Sequence, residues 1–185
     1  RVNGERSMAR YLSFLPHRAA VPAALIALCI GTPGHGEVLE ASDTHYRLAH
    51  EANTDLTPAA LWGRLVNPAR WWNPLHSFSG VADNLQLDAR AGGLWREDWD
   101  GGSVAHGRVL QVRDGELLRL EAPFGPLQGL GAYVVWTITI TPGEIGGSTV
   151  TFEEVASAPP GSGLDQLAGA VDGVKAEALA RLAGE

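Results

Sequence analysis

Cysteine is almost missing from this chain: Cys29 stands alone in 185 residues. That scarcity excludes a disulfide framework and any cysteine-rich zinc module. Methionine is equally rare, with Met8 the single example. Positive charge is in short supply too. The 14 Lys and Arg face 21 Asp and Glu, a net charge of −7, so the basic face that phosphate binding needs is absent. A nucleic-acid binder is disfavoured on that ground. With 45% hydrophobic and 19% charged residues the chain is too apolar for disorder. Its length leaves one compact domain plus the N-terminal segment.

Several catalytic signatures are also lacking. Gly101-Gly102-Ser103 and Gly161-Ser162-Gly163 miss the second glycine of a Gly-x-Ser-x-Gly elbow. No Walker A loop occurs, and Gly129-x-Gly131 has neither a third glycine nor the strand-to-helix setting of a dinucleotide site. His45 and His50, five apart in a candidate strand, point to opposite faces and cannot share a metal locally. Neither a metal nor a cofactor is expected.

The N-terminus reads as an export signal. From Met8, Arg10 and Arg18 supply a positive start, and Ala19 to Ile30 runs twelve residues without a charge. That is the length of a signal-peptide core and short of the roughly 20 residues a spanning helix needs. Gly34 and Gly36 suit cleavage before Glu37. A buried helix is the rival reading, but Pro22 and Gly31-Thr32-Pro33-Gly34 fit it poorly. A lipid anchor on Cys29 is another, with Leu28 where a small residue is wanted. The expectation is a leader from about Met8 to Gly36, and a single 37–185 domain in the periplasm or outside the cell. The mature chain carries a net charge of −10, no cysteine and all six tryptophans.

Within that domain, Glu37 to Asn53 alternates polar and apolar residues and is expected to form a first strand. Thr57-Pro58 begins a helix, with Thr57 as N-cap and Leu61, Trp62, Leu65 and Val66 as its apolar stripe. A second short helical turn follows Asn67-Pro68 and runs through Trp71-Trp72. From Phe78 the period becomes two. Strands are expected at Leu85–Leu87, Leu94–Trp99, Val104–Arg113, Glu116–Ala122, Ala132–Thr141 and Ser148–Ala156. Ser162 and Asp165 form a capping pair for a long last helix reaching Leu182. Its apolar face is Leu164, Leu167, Val171, Val174, Ala178 and Leu182. Gly169, Gly173, Ala176 and Ala180 run beside it, for close packing on a sheet or for ligand space.

This order, with Leu61-Trp62, Trp71-Trp72, Arg90-Ala91-Gly92-Gly93-Leu94-Trp95, Gly107 to Val112 and Ser148 to Phe152, resembles the START-like helix-grip superfamily. More narrowly it resembles the branch named after the activator of the Hsp90 ATPase. Asn73 to Gly80 and Gly125 to Gln128 are similar to a secreted bacterial subgroup without assigned chemistry. The resemblance spans about Tyr46 to Leu182. It implies an α+β fold, a seven-stranded antiparallel sheet curled round the C-terminal helix with an apolar cavity between them. Members bind lipids, hormones or polyketides there, and some catalyse cyclisation or hydrolysis. An exported acidic protein would not meet cytosolic Hsp90, so that partner is not expected.

The candidate cavity residues are aromatic and apolar. Trp71, Trp72 and Phe124 are expected as wall and Trp136 as core or wall, with Leu167 and Val171 contributed by the last helix. Trp95, Glu97 and Trp99 alternate on one strand face, opposite Leu94, Arg96 and Asp98. With the indoles inward, desolvation is expected to raise the Glu97 pKa, and His106 or Arg108 on the next strand could partner it. With that face outward, Glu97 is simply solvated. Binding of a small hydrophobic molecule is the leading reading. The alternatives are a cyclase- or hydrolase-type enzyme using Glu97, His106 or Tyr133, and a protein-interaction module using the Pro123–Gly131 loop.

Overall fold

The computed structural model describes residues 35–184. The expected leader therefore lies outside the described residues apart from His35 and Gly36. Those two open strand β1 (His35–Ser42), which turns at Asp43-Thr44 into β2 (His45–Thr54). The single strand expected over Glu37–Asn53 is thus a hairpin. Its outer arm carries exposed residues throughout most of its length, so alternation alone did not reveal the turn. Cleavage before Glu37 would remove the first two residues of β1.

Thr57 caps α1 (Pro58–Leu65), its side chain accepting from the Ala60 N–H at 3.3 Å, and Leu61 and Leu65 are buried. Short 3₁₀ turns at Pro68–Arg70, Pro74–His76 and Ala82–Asn84 carry the chain to β3 (Leu85–Leu87). Then follow β4 (Leu94–Trp99), β5 (Gly102–Arg113), β6 (Leu117–Glu121) and the one-turn α2 (Pro126–Gly129). Strands β7 (Tyr133–Pro142) and β8 (Ser148–Ser157) precede the long α3 (Leu164–Ala183). The fold is α+β.

All eight strands form one antiparallel sheet in the order β1-β2-β8-β7-β6-β5-β4-β3. The expected count of seven is corrected to eight, because the first expected strand is two. Helix α3 packs against β1, β2 and β8. Alternation puts Val134, Trp136, Ile138 and Ile140 of β7 in the core, together with Tyr46, Leu48 and Ala52 of β2. Strand β5 breaks its own period. Trp95 pairs with Gly107 and Arg96 with Ala105, so His106 is the extra residue of a β-bulge. The phase changes there: His106, Gly107 and Val109 are buried while Arg108 is exposed.

Two expectations for α3 change. Ser162 does not cap it; its hydroxyl donates instead to the Pro159 carbonyl. The helix entrance is held by Asp43, whose carboxylate accepts from the Gly161 and Gly163 N–H groups, and whose carbonyl accepts from Leu164. Those two backbone N–H groups keep the Asp43 carboxyl below its ordinary pKa. Gly169 and Gly173 serve neither sheet packing nor ligand space. Both are exposed, and an added Cβ would meet nothing within 4 Å.

Candidate functional site

A cavity of about 330 Å³ opens beside α3. One wall is α3 itself, through Leu167, Val171 and Val174. Facing it are Trp72 and Phe78 from the segment after α1, and Phe124 and Leu127 from the loop before β7. Glu154 of β8 and Lys175 of α3 supply the charged part of the lining, with His76 near the rim. The loop Pro123–Gly131 therefore turns its apolar side inward, with Leu127 buried. That removes the exposed patch the interaction-module reading needed from it.

Two carboxylates pin the segment that forms the rim. Glu177 on α3 takes the Asn73 amide at 2.6 Å and lies 3.0 Å from His76 Nε2. Burial works against the Glu177 charge, but bonds from His76, Asn73 and Arg181 outweigh it and hold its pKa low. At the other end Glu97 accepts the Phe78 N–H at 3.0 Å and the Ser79 N–H at 2.5 Å. Between these anchors Leu75 is 83% and Phe78 58% exposed. The backbone is tethered while Phe78 stands at the cavity mouth and Leu75 points into solvent.

Glu97 faces inward and is fully buried, as the inward-indole reading required. Its partner is His106, with Nε2 2.9 Å from Oε2; Arg108 instead bonds Glu121 outside. The expected pKa direction is corrected. Desolvation does push it up, but the hydrogen bonds from Ser79, Phe78 and His106 dominate, and it falls to about 2. Burial lowers the His106 pKa against the pull of Glu97, which favours a neutral ring donating to a carboxylate. Neither residue lines the cavity. His106 sits one layer behind, its ring stacked on Phe124 at 5.2 Å and 14°.

The ten candidate residues divide accordingly. Trp72, Phe124, Leu167 and Val171 line the cavity. Trp71, Trp95 and Trp136 are core: Trp71 and Trp95 pack edge to face at 5.6 Å, and Trp136 meets Phe152 at 4.9 Å. Glu97 and His106 support the wall from behind. Trp99 is half-buried and lies over Gly102, where an added Cβ would come within 2.6 Å of its ring, away from the cavity. Tyr133 is 52% exposed on the outer sheet face, which removes it as an acid–base group here.

The polar end of the cavity was missed. Lys175 is buried, and its Nζ lies 2.6 Å from Glu154 Oε2 and 3.2 Å from the centre of the Trp136 ring. Tyr46 donates to Glu154 Oε1 at 2.6 Å. Burial first, then the Glu154 charge, pushes the Tyr46 phenol far up, so it is a fixed donor. Burial lowers the Lys175 pKa, opposed by Glu154. A second pair lies nearby: Nε2 of the buried His50 is 2.9 Å from Oδ1 of the half-buried Asp172 and 3.2 Å from its carbonyl oxygen. The sequence did hold a signal for Lys175. It stands four residues after Val171 and three before Ala178, on the helix face otherwise given to apolar side chains.

Among the described residues no group of three or more His, Cys, Asp or Glu side chains is placed to hold a metal ion. No described helix is long and apolar enough to cross a membrane. A single antiparallel sheet holding a long C-terminal helix, with a cavity beside that helix, defines the class of fold. Solved structures share the arrangement of sheet and helix. A protein from Rhodobacter sphaeroides matches at 21% identity and a TM-score of 0.51, over 80% of this chain and 95% of its own. An uncharacterised protein from Rhizobium leguminosarum matches at 21% identity and 0.54, over 82% and 96%. One from Chromobacterium violaceum matches at 22% and 0.50, over 77% and 96%. At such identities the likeness shows the fold alone. No family model and no curated protein sequence matches the chain.

Proposed function

We propose that the protein binds one small apolar molecule in the cavity between α3, the rim segment and the loop before β7. The observation that carries this reading is the cavity itself: about 330 Å³, walled by Trp72, Phe78, Phe124, Leu127, Leu167, Val171 and Val174. That volume lies at the lower end of ligand pockets, roughly 300–1,000 Å³. Stacking of Phe124 on both Trp72 and His106 gives the wall flat aromatic faces. The motifs from Trp71-Trp72 to Phe152 further support a START-like helix-grip protein of the Hsp90-activator branch, without that branch's partner. The charge pattern of Met8 to Gly36 supports export to the periplasm or beyond. Glu97 and His106 do not favour the enzyme reading, since each satisfies the other behind the wall.

Titration with the neutral fluorophore N-phenyl-naphthylamine tests the binding. The expected result is saturable enhancement at one probe per chain, weakened about tenfold or more by Val171→Trp, which fills the space. Equal binding to the variant would place the probe outside the cavity, on exposed side chains such as Leu75, and overturn the reading. So would the absence of saturable binding to the unaltered protein.

A further inference from the structure

Of the 14 basic residues 13 are arginine, and Lys175 is the single lysine of the chain. A lysine on a protein surface is a solvated point charge, whereas one without water is a nucleophile in waiting. This one has no place at the surface. Its stem belongs to α3 and its Nζ rests against Trp136, 5.1 Å from the Phe124 ring centre and 6.0 Å from that of Trp72. Phe124 and Trp72 are both cavity wall. Nζ pairs with Glu154 Oε2 at 2.6 Å, and that contact leaves two of its three N–H donors without a partner among the described residues. A purely structural ion pair would be expected to satisfy its donors, because a buried donor without a partner is costly. Arginine, the choice everywhere else in the chain, would serve a structural pair better through its two-pronged geometry, but it cannot form an imine.

We propose that Lys175 captures an apolar aldehyde or ketone in the cavity as an imine, with Glu154 as its proton acceptor and donor. This rests on the cavity being the binding site. The Lys175 ammonium gives one proton to Glu154 Oε2, and the freed lone pair attacks the carbonyl carbon. A C–N bond forms, and the C=O π pair moves to oxygen, which takes a proton from the nitrogen to give the carbinolamine. Glu154 then returns its proton to that hydroxyl, the C–O bond breaks, and water leaves as nitrogen forms the C=N bond. The product is a protonated iminium beside a Glu154 carboxylate, so one ion pair is exchanged for another. No oxidant or reductant is needed. Burial assists the first step by disfavouring the ammonium. Tyr46, hydrogen-bonded to the other oxygen of Glu154, is a positioning residue that keeps Oε2 turned to the amine.

The test is reductive trapping of the full-length folded protein with naphthaldehyde and cyanoborohydride at neutral pH, followed by peptide mapping. The N-terminal amine is an internal reference. The expected result is one naphthylmethyl group on Lys175, formed about tenfold or more faster than on the N-terminus. Glyoxylate, a charged aldehyde, should reverse that preference. Glu154→Gln should slow trapping at Lys175 about tenfold while leaving the N-terminal rate unchanged. An equal rate at Lys175 in that variant overturns the role given to Glu154. Labelling of the N-terminus alone, or of Lys175 only in urea, overturns the proposal. Titration with N-phenyl-naphthylamine, which carries no carbonyl, separates the two readings. If it binds and Lys175 is not trapped, only the imine falls; if it does not bind, the apolar site falls as well.

Discussion

At the scale of single residues, three buried ionisable groups, Glu97, His50 and His106, share one direction of pH response. Glu97 has its pKa depressed from 4.5 to about 2, and burial depresses His50 and His106 below 6.5. In each case the unfolded chain takes up a proton before the folded one does, so stability rises with pH across that window. The Glu97 contribution is fully present above about 4.5 and is lost as pH falls towards about 2. The histidine contributions are present above about 6.5 and decline as pH drops below it. The melting temperature should therefore fall between about pH 7.5 and about pH 5.5, near the ordinary histidine pKa. His106→Gln, and separately His50→Gln, should each flatten that fall. A melting temperature that holds or rises on acidification, or an unchanged slope in both variants, would contradict the assignment. Glu97→Gln belongs to the same layer. Because Glu97 ties down Phe78 and Ser79 rather than touching a ligand, the substitution should lower stability by about 1–3 kcal/mol. A melt with no shift would show that those backbone bonds are dispensable.

At the scale of elements, glycines separate backbone need from mere tolerance. Gly169 and Gly173 lie within α3, exposed, with open space where a Cβ would stand. Alanine at either position should stabilise by about 0.5–1 kcal/mol, read as a rise in unfolding free energy in urea. Gly107 is the opposite case. It follows the bulge residue His106, and a Cβ there would come within 2.8 Å of the Glu121 carbonyl oxygen. Gly107→Ala should cost about 1–3 kcal/mol, and a neutral result would mean β6 can move away. These elements also show where sequence pattern runs out. Strand β4 and the start of α1 were legible, because alternation at Leu94–Trp99 and the Thr57-Pro58 cap are local signals. The hairpin at Asp43-Thr44 was not, since Asp43 takes its role from Gly161 and Gly163, far along the chain. The change of phase at His106 was hidden for a similar reason. A bulge is defined by the partner strand, and period two read along one strand carries no record of it.

At the scale of the whole molecule, eight antiparallel strands and one long helix leave a cavity that no single element owns. Its apolar wall was half legible: Trp72, Phe124, Leu167 and Val171 could be nominated because large apolar residues repeat on inward faces. Trp71, Trp95 and Trp136 carry the same local signature but fall one layer deeper, and Trp99 falls outside. Only the packing of α3 and the loop before β7 separates wall from core. Lys175 and Glu154 stand 21 residues apart, and their meeting is a product of α3 lying across β8. The rim held by Glu177 and Glu97 likewise depends on two elements closing from opposite ends. Anomalous diffraction from a crystal soaked in bromonaphthalene tests this account most directly. The expected result is a bromine peak inside the cavity, between Phe124 and Val171, and none there in Val171→Trp. Bromine found only at the exposed Leu75 side chain, or nowhere on the molecule, would contradict an apolar ligand site beneath the helix.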